Sequence, residues 1–356
     1  MASGSLVYLV SKGAQDVYIN ESLPDSIGIS RYSRFKNFSE FPQRITFNND
    51  VKNNSTTFIK LSRTGDLISH IWLEGTNLID YLSGAEFELR IGGQQIDCQT
   101  FDYMADIWQI YMAENSSKSN SINNLVSKTN KNFFPLHFFF CDNDMFLPLI
   151  ALQYYEVEIT IKWPSNIESV TNLKMYGNYV LLDNIERNYL SKNRLEFLIT
   201  QVQSLPFTSE NILNLRTFNH PVKAIFFGFE SGDALLASDT WTFDSASLSL
   251  NETYLFEEMS PTFFHTVQGY YYTEHGVLNF DTNYNTPIYT RYYMYSFGNK
   301  VNTYNVSGTC NFSRIDKCRL FLTNTLNRTS KNLKVYAVNY NILRIENGMG
   351  GLLFSN

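Results

Sequence analysis

The sequence holds no C-x-x-C pair: its four cysteines, Cys98, Cys141, Cys310 and Cys318, are scattered through 356 residues. That excludes a dense disulfide scaffold and favours a reducing compartment, in which a Cys310 to Cys318 bridge is not expected. Histidine is also sparse. None of the five, His70, His137, His220, His265 and His275, stands in H-x-H, H-x-D/E or H-E-x-x-H, the spacings that put two ligands on one metal. Basic residues are outnumbered, 28 against 34 acidic, and the net charge of −6 gives no general cationic field. Direct contact with nucleic acid is therefore not expected.

Long apolar runs are missing too. A bilayer span needs about 18 or more consecutive apolar residues, whereas the richest stretch, "FFPLHFFFCDNDMFLPLIALQYYEVEITI" (133–161), is broken by Asp142, Asn143 and Asp144. Pro135 and Pro148 also exclude one long helix. The amino-terminal stretch "MASGSLVYLVSKGAQD" has no basic leader and only a short apolar patch at Leu6 to Val10. A secretory signal is not expected there, so synthesis and folding in the cytoplasm are, and N-x-S/T triplets such as Asn37, Asn251 and Asn305 are expected to stay free of sugar.

Reactive constellations are equally thin. Asp142 and Asp144 open like a calcium loop, but Phe146 stands where a third oxygen ligand is needed. His137 and Cys141 lie four apart, about 13 Å on an extended strand, too far for a nucleophile and its base. "GMGG" (348–351) lacks the Lys-Ser/Thr and the helix of a phosphate cradle and reads as a flexible tail or one docked on a neighbour. The acidic pairs Glu156/Glu158 and Glu257/Glu258 would serve a glycosidase only if the fold brought them to a cleft. No catalytic, cofactor-binding or metal-ligating residue is singled out, no cofactor is expected, and a structural or binding role is favoured over an enzyme.

What the sequence does have is aromatic surface: 28 Phe and 23 Tyr, with charged residues at only 17%, the composition of a packed, mostly β protein. Strand signals recur at short intervals. "TFIKLSRTGDLISHIWLEG" reads as strand, turn at Thr64-Gly65-Asp66, and a second strand in which Leu67, Ser69, Ile71 and Leu73 share a face. In "AEFELRIGGQQIDCQT", Gly92-Gly93 can take the positive φ of a two-residue hairpin turn. "HFFF" and "LIALQYYEVEITI" read as adjacent buried strands with "CDND" turning outside. One segment breaks the period of two: Phe101, Met104, Trp108, Tyr111 and Met112 mark a short amphipathic helix with Thr100 placed to cap it. The polar run 114–132 reads as an exposed excursion.

A repeat organises the chain. "NLKMYGNYVLLDNIE" (172–186) returns as "NLKVYAVNYNILRIE" (332–346), with Tyr176 matching Tyr336 at an offset of 160 residues. The strand-turn-strand around Arg63 to Asp66 has its own counterpart in "TFNHPVKAIFFGFE". Two equivalent β domains, each an eight-stranded antiparallel sandwich, are the economical explanation. A boundary is expected in the polar connection "ERNYLSKNR" (186–194), giving an arm over 1–24, a first jelly roll over 25–190 and a second over 191–356. The fold class is all-β, a double jelly roll with a few short helices in loops.

The ordered segments "GAQDVYI" (13–19), "SRTGDLI" (62–68), "IGGQQID" (91–97), "LPLIALQYYEVEI" (147–159), "FNHPVK" (218–223), "SGTCNFSRID" (307–316) and "YAVNYNILRIENGMGGLLFSN" (336–356) resemble the signature of the major capsid protein of nucleocytoplasmic large DNA viruses. The resemblance implies a homotrimer forming a pseudo-hexagonal capsomer that meets neighbouring capsomers in an icosahedral shell built in the host cytoplasm. It also implies that the segment around Gly13 to Ile19 lies on the inner side, near minor capsid proteins and an internal membrane. The chain is short for that family, with compact loops in its second half, "LNETYLF" (250–256) in place of a glycine-containing segment, and Tyr155 where histidine is frequent. A minor capsid paralogue, or a jelly-roll glycan-binding protein using Trp241 and Tyr270 to Tyr272, is the alternative.

Overall fold

The computed structural model describes residues 37–114, 118, 132–141, 145–206, 208–229, 243–273, 280–281, 286–287, 292–323 and 333–355. The expected segments at 13–19, most of 114–132, Asp142 to Asp144, Trp241 and His275 lie outside these residues.

Nine strands fill the first half: β1 (Phe38–Ile45), β2 (Thr56–Lys60), β3 (Leu67–Thr76), β4 (Glu86–Ile91), β5 (Gln94–Thr100), β6 (Phe133–Pro135), β7 (Leu147–Pro148), β8 (Val157–Lys162) and β9 (Thr171–Leu182). One sheet runs β1-β9-β3-β6, with β7 also paired to β3, and the facing sheet runs β2-β8-β4-β5. The second half holds β10 (Leu195–Ser204), β11 (Ile212–Asn214), β12 (Pro221–Phe229), β13 (Ser245–Leu250), β14 (Thr253–Met259), β15 (Phe280–Asp281), β16 (Thr286–Pro287), β17 (Tyr292–Ser296), β18 (Cys310–Asn311), β19 (Cys318–Thr323), β20 (Leu333–Glu346) and β21 (Met349–Leu352). Its sheets run β10-β20-β12-β17, with β18 on β12, and β11-β19-β13-β14. Order and direction match the first half strand for strand. Among the described residues only the small β15-β16 ribbon and β21, which folds back antiparallel on β20, are additions. This is the double jelly roll expected from the repeat, whose two copies fall on β9 and β20, interior strands of equivalent sheets.

Alternation explains how each sandwich closes. On β8, Val157, Ile159 and Ile161 are buried between the sheets. On β3, Leu67, Ser69, Ile71 and Leu73 are buried while His70 and Glu74 are exposed. Between β4 and β5, Gly92 and Gly93 have φ of +58° and +83°, the primed turn that suits the twist of a hairpin. A side chain at Gly92 would in addition place its Cβ 2.3 Å from the Tyr155 ring.

Several elements differ from expectation. "HFFF" is not a strand: β6 ends at Pro135, Leu136 N makes one more bond to Ile71 O of β3 at 2.9 Å, and Phe138 to Cys141 close a turn in which Cys141 N donates to Phe138 O at 2.8 Å. Phe138 and Phe140 are fully buried all the same, because a turn can fill a core as a strand does. Strands β6 and β7 both pair with β3 and not with each other. The segment after Thr100 is a π-helix, Tyr103–Met112, whose exit shows the i to i−5 bond of Ala113 N to Trp108 O at 2.9 Å. The wider turn puts Tyr103, Ile107 and Tyr111 on one line and lets three sides be buried. Thr100 does cap it, its Oγ1 accepting from Tyr103 N at 3.3 Å. The polar connection is an α-helix, Asn184–Lys192, started by Asp183, whose side chain accepts from Asn184 N. "GMGG" is no loose tail: Asn347 and Gly348 have φ of +52° and +79° and turn the chain into β21.

Candidate assembly surface

The two jelly rolls meet inside one chain, at a junction to which both contribute. In β20 the buried pattern is almost continuous from Leu333 to Leu343, whereas its counterpart β9 alternates with partly open positions. A strand buried on both faces reads as such a run. One face of the β10-β20-β12-β17 sheet carries Ile225, Phe227, Tyr293, Val335 and Ala337 into the second sandwich's own core. The other face, with Ile199, Phe226, Tyr292, Met294, Tyr336 and Val338, belongs to the core of the first half.

The π-helix covers that second face. Tyr111 packs its ring 5.5 Å from that of Phe226 and donates its hydroxyl to Tyr292 O at 2.8 Å. Tyr103 lies 5.8 Å from Tyr336, whose hydroxyl shares a 2.7 Å hydrogen bond with Thr100 Oγ1. Burial, together with the nearby Asp102 charge, pushes the Tyr336 phenol up, so it stays protonated.

The rim of the junction is polar and runs along β5. Asp97 Oδ1 accepts from Val202 N of β10 at 2.8 Å and Gln201 Nε2 donates to Ile96 O, so the first half's edge strand is tied to the second half's. Gln99 Nε2 donates to Asp97 Oδ2 at 2.6 Å and to His137 O at 2.7 Å. Desolvation raises the Asp97 carboxyl to about 6, against the lowering effect of its donors Val202 N, Gln99 and Cys98 N. Lys223, also buried, donates to Thr303 O at 2.7 Å, lies 5.5 Å from the Tyr340 ring, and is pushed down to about 8 by desolvation. Strand β21 completes the seam: Leu352 N donates to Gln94 Oε1 at 3.1 Å, Tyr154 N to Gly348 O at 2.9 Å, and Gly350 sits against Leu152.

The candidate reactive groups are dispersed into structural roles. His137 is buried and stacked on Trp108 with ring centroids 3.4 Å apart, while His70 Nδ1 lies 3.0 Å from Cys141 O. His220 is buried at φ +66°, where its N–H donates to Ser313 Oγ. Burial pushes the Cys98 and Cys318 thiols up to about 12, which removes thiolate character at neutral pH. None of the four cysteines forms a disulfide. Glu156 pairs with Lys60 on the first half's surface, and Glu257 and Glu258 are exposed on β14 of the second, so the fold does not gather the two acidic pairs. Among the described residues no three His, Cys, Asp or Glu side chains come together as a metal cage, and no helix is long and apolar enough to cross a membrane.

Several aromatic rings remain on the outside. Tyr270 and Tyr271 are 76% and 69% exposed, and Phe133 is 38% exposed. Trp72 and Tyr176 stack with centroids 5.6 Å apart on the outward face of the β1-β9-β3-β6 sheet. The sequence contained this pattern in the match of Tyr176 to Tyr336, although composition alone did not distinguish covered tyrosines from open ones.

Comparison with known proteins assigns both halves. Residues 27–186 match the model described as major capsid protein N-terminus, and residues 186–351 the one described as large eukaryotic DNA virus major capsid protein. The chain is 34% identical to the major capsid protein of Pyramimonas orientalis virus, over 99% of this chain and 100% of that one. It is 29% identical to the major capsid protein of Paramecium bursaria Chlorella virus 1, with the same coverage. A chain of the quasi-atomic model of the PBCV-1 virus capsid superposes with a TM-score of 0.75 at 26% identity, covering 93% of this chain and 100% of that one.

Proposed function

The chain belongs to the major capsid protein family of large eukaryotic DNA viruses, a structural component of the virion, and from that membership we propose that three copies form a pseudo-hexagonal capsomer that tiles an icosahedral shell. The observation that carries this reading is the strand-for-strand equivalence of the two sandwiches, β1-β9-β3-β6 with β10-β20-β12-β17 and β2-β8-β4-β5 with β11-β19-β13-β14. A triplet of such chains presents six similar flanks, so that one kind of lateral contact can be used all round. We assign residues 1–24 to an arm on the inner side, 25–190 to the first jelly roll and 191–356 to the second.

Shell building needs complementary surfaces and no reactive group, and we assign the protein no catalytic role. Its free energy comes from apolar area withdrawn from water, at about 25 cal/mol per Å² before the cost of association is met. Minor capsid proteins and an internal membrane are the partners proposed for the inner side. Neighbouring capsomers are those for the flanks, nucleic acid is not contacted directly, and assembly takes place in the host cytoplasm.

Multi-angle light scattering with negative-stain imaging tests the proposal. Particles with three-fold symmetry, a hexagonal outline and three times the 41.2 kDa chain mass are expected. A stable 41.2 kDa species at micromolar concentration overturns it.

A further inference from the structure

The junction inside the chain has an uncovered counterpart on its outside, and the two correspond residue by residue. On the covered sheet, Phe226 of β12 pairs with Tyr336 of β20 and with Met294 of β17, and Gly228 pairs with Tyr292. On the equivalent sheet, Trp72 of β3 pairs with Tyr176 of β9 and with Pro135 of β6, and Glu74 pairs with Phe133. Trp72, Tyr176 and Phe133 therefore hold the register positions of Phe226, Tyr336 and Tyr292. The second trio is fully buried beneath the π-helix. The first is open: Phe133 is 38% exposed and Trp72 and Tyr176 are half-buried. Beside them a recess of about 410 Å³ is lined by Trp72, Phe133 and Pro135, with Trp108 and Leu136 behind.

The covering element is duplicated as well. The helical segment that follows β14, Phe263–Val267 continued by Gln268–Tyr272, occupies the place of Tyr103–Met112 after β5. At the offset of 160 residues that relates the repeats, Tyr271 stands where Tyr111 stands and Phe264 where Met104 stands. Phe264 and Met104 are both fully buried in their own sandwiches, so the two segments are seated alike. Tyr111 is buried on the neighbouring sheet, whereas Tyr271 is 69% exposed.

We infer that the helical segment 263–272 of one copy covers the Trp72, Tyr176 and Phe133 face of a second copy, with the Tyr271 ring on Trp72 and its hydroxyl donated to the Phe133 carbonyl. A second copy is the occupant because the same chain already displays the contact once, between its own halves, and both unmatched partners of that contact are exposed. The contact is heterologous, helix of one copy to sheet of the next, and it closes into a ring only if the copies are related by rotation. It rests on the proposed homotrimer and specifies which surfaces hold it.

Two cysteine substitutions in one chain, Tyr271→Cys and Phe133→Cys, test this under a short bismaleimide, with the unsubstituted protein as control for its own cysteines. A covalent ladder reaching three chains on a denaturing gel is expected, together with at least about a tenfold rise in the trimer dissociation constant for Tyr271→Ala. Circular dichroism of Tyr271→Ala should match that of the parent, since the residue is on the surface. Intact trimers by light scattering with no ladder, and an unchanged dissociation constant in Tyr271→Ala and Trp72→Ala, overturn the inference and leave the trimer standing. A parent protein that is monomeric at every concentration overturns both.

Discussion

The hydroxyl of Tyr111 donates to the carbonyl oxygen of Tyr292 at 2.8 Å, across 181 residues of chain and from one jelly roll to the other. Tyr111 is fully buried, so its ring and its hydroxyl can be separated by substitution. Tyr111→Phe should cost about 1 kcal/mol, the net value of a hydrogen bond with some penalty for the carbonyl left behind. Tyr111→Ala should cost about 3 to 5 kcal/mol by opening a cavity between the halves. Equilibrium unfolding in urea, followed by intrinsic fluorescence, measures both.

The glycines of the β4-β5 turn should respond unequally. Both need positive φ, a conformation that costs an ordinary residue about 1 to 2 kcal/mol. A Cβ at Gly93 meets nothing within 4 Å, while at Gly92 it runs into the Tyr155 ring at 2.3 Å. Gly93→Ala should therefore lose about 1 kcal/mol and Gly92→Ala about 3 kcal/mol or more. Midpoints of chemical denaturation for the two variants check the ranking, and equal losses would show that the Tyr155 ring gives way.

Asp97 makes the junction sensitive to pH. Its folded pKa is about 6, raised from an ordinary 3.8, so the fold prefers the protonated carboxyl. The associated stability is present below about 4 and is lost as pH rises through about 6. Across that window the melting temperature of the wild type should fall relative to that of Asp97→Asn, which carries no titrating group there. Thermal scans at half-unit pH steps measure the difference, and parallel curves would exclude the assignment.

Arg63 is a backbone clamp. Its Nη1 donates to Gln153 O at 2.9 Å and its Nη2 to Leu152 O at 2.5 Å and Tyr155 O at 3.1 Å, holding the loop that touches both Gly92 and Gly348. A lysine cannot span three carbonyls with one ammonium. Arg63→Lys should lose about 1 to 3 kcal/mol and increase protease cleavage near Gln153. Limited proteolysis with mass mapping is the direct readout.

Much of this architecture was legible because it is local or repeated. The Gly92-Gly93 hairpin needed only the φ preferences of glycine, and the match of Tyr176 to Tyr336 marks equivalent interior strands in the sequence itself. Where sequence reasoning failed, the controlling contact was remote. "HFFF" has the composition of a strand, but whether Phe138 and Phe140 are strand or turn depends on where β3 stops offering partners. The spacing of Phe101, Met104, Trp108 and Tyr111 suits a 3.6-residue turn, and the π-helix is reached because Tyr103, Ile107 and Tyr111 must be buried on several sides at once. "GMGG" looked loose because glycine has no side chain to show packing; Gly350 lies against Leu152 for that same reason. The proposed assembly surface was hidden by composition, since Tyr111, which is buried, and Tyr271, which is exposed, are the same residue type.

The two-sided burial of β20 sets an order on synthesis. The helix that roofs Tyr336 and Phe226 is translated well before Leu333 to Leu343, so that cover is already on hand when β20 emerges. Each half alone would bare its own side of the junction: a fragment beginning near Leu195 would meet water with Phe226, Tyr292 and Tyr336 uncovered, and one ending near Leu182 with the Tyr103 and Tyr111 rings uncovered.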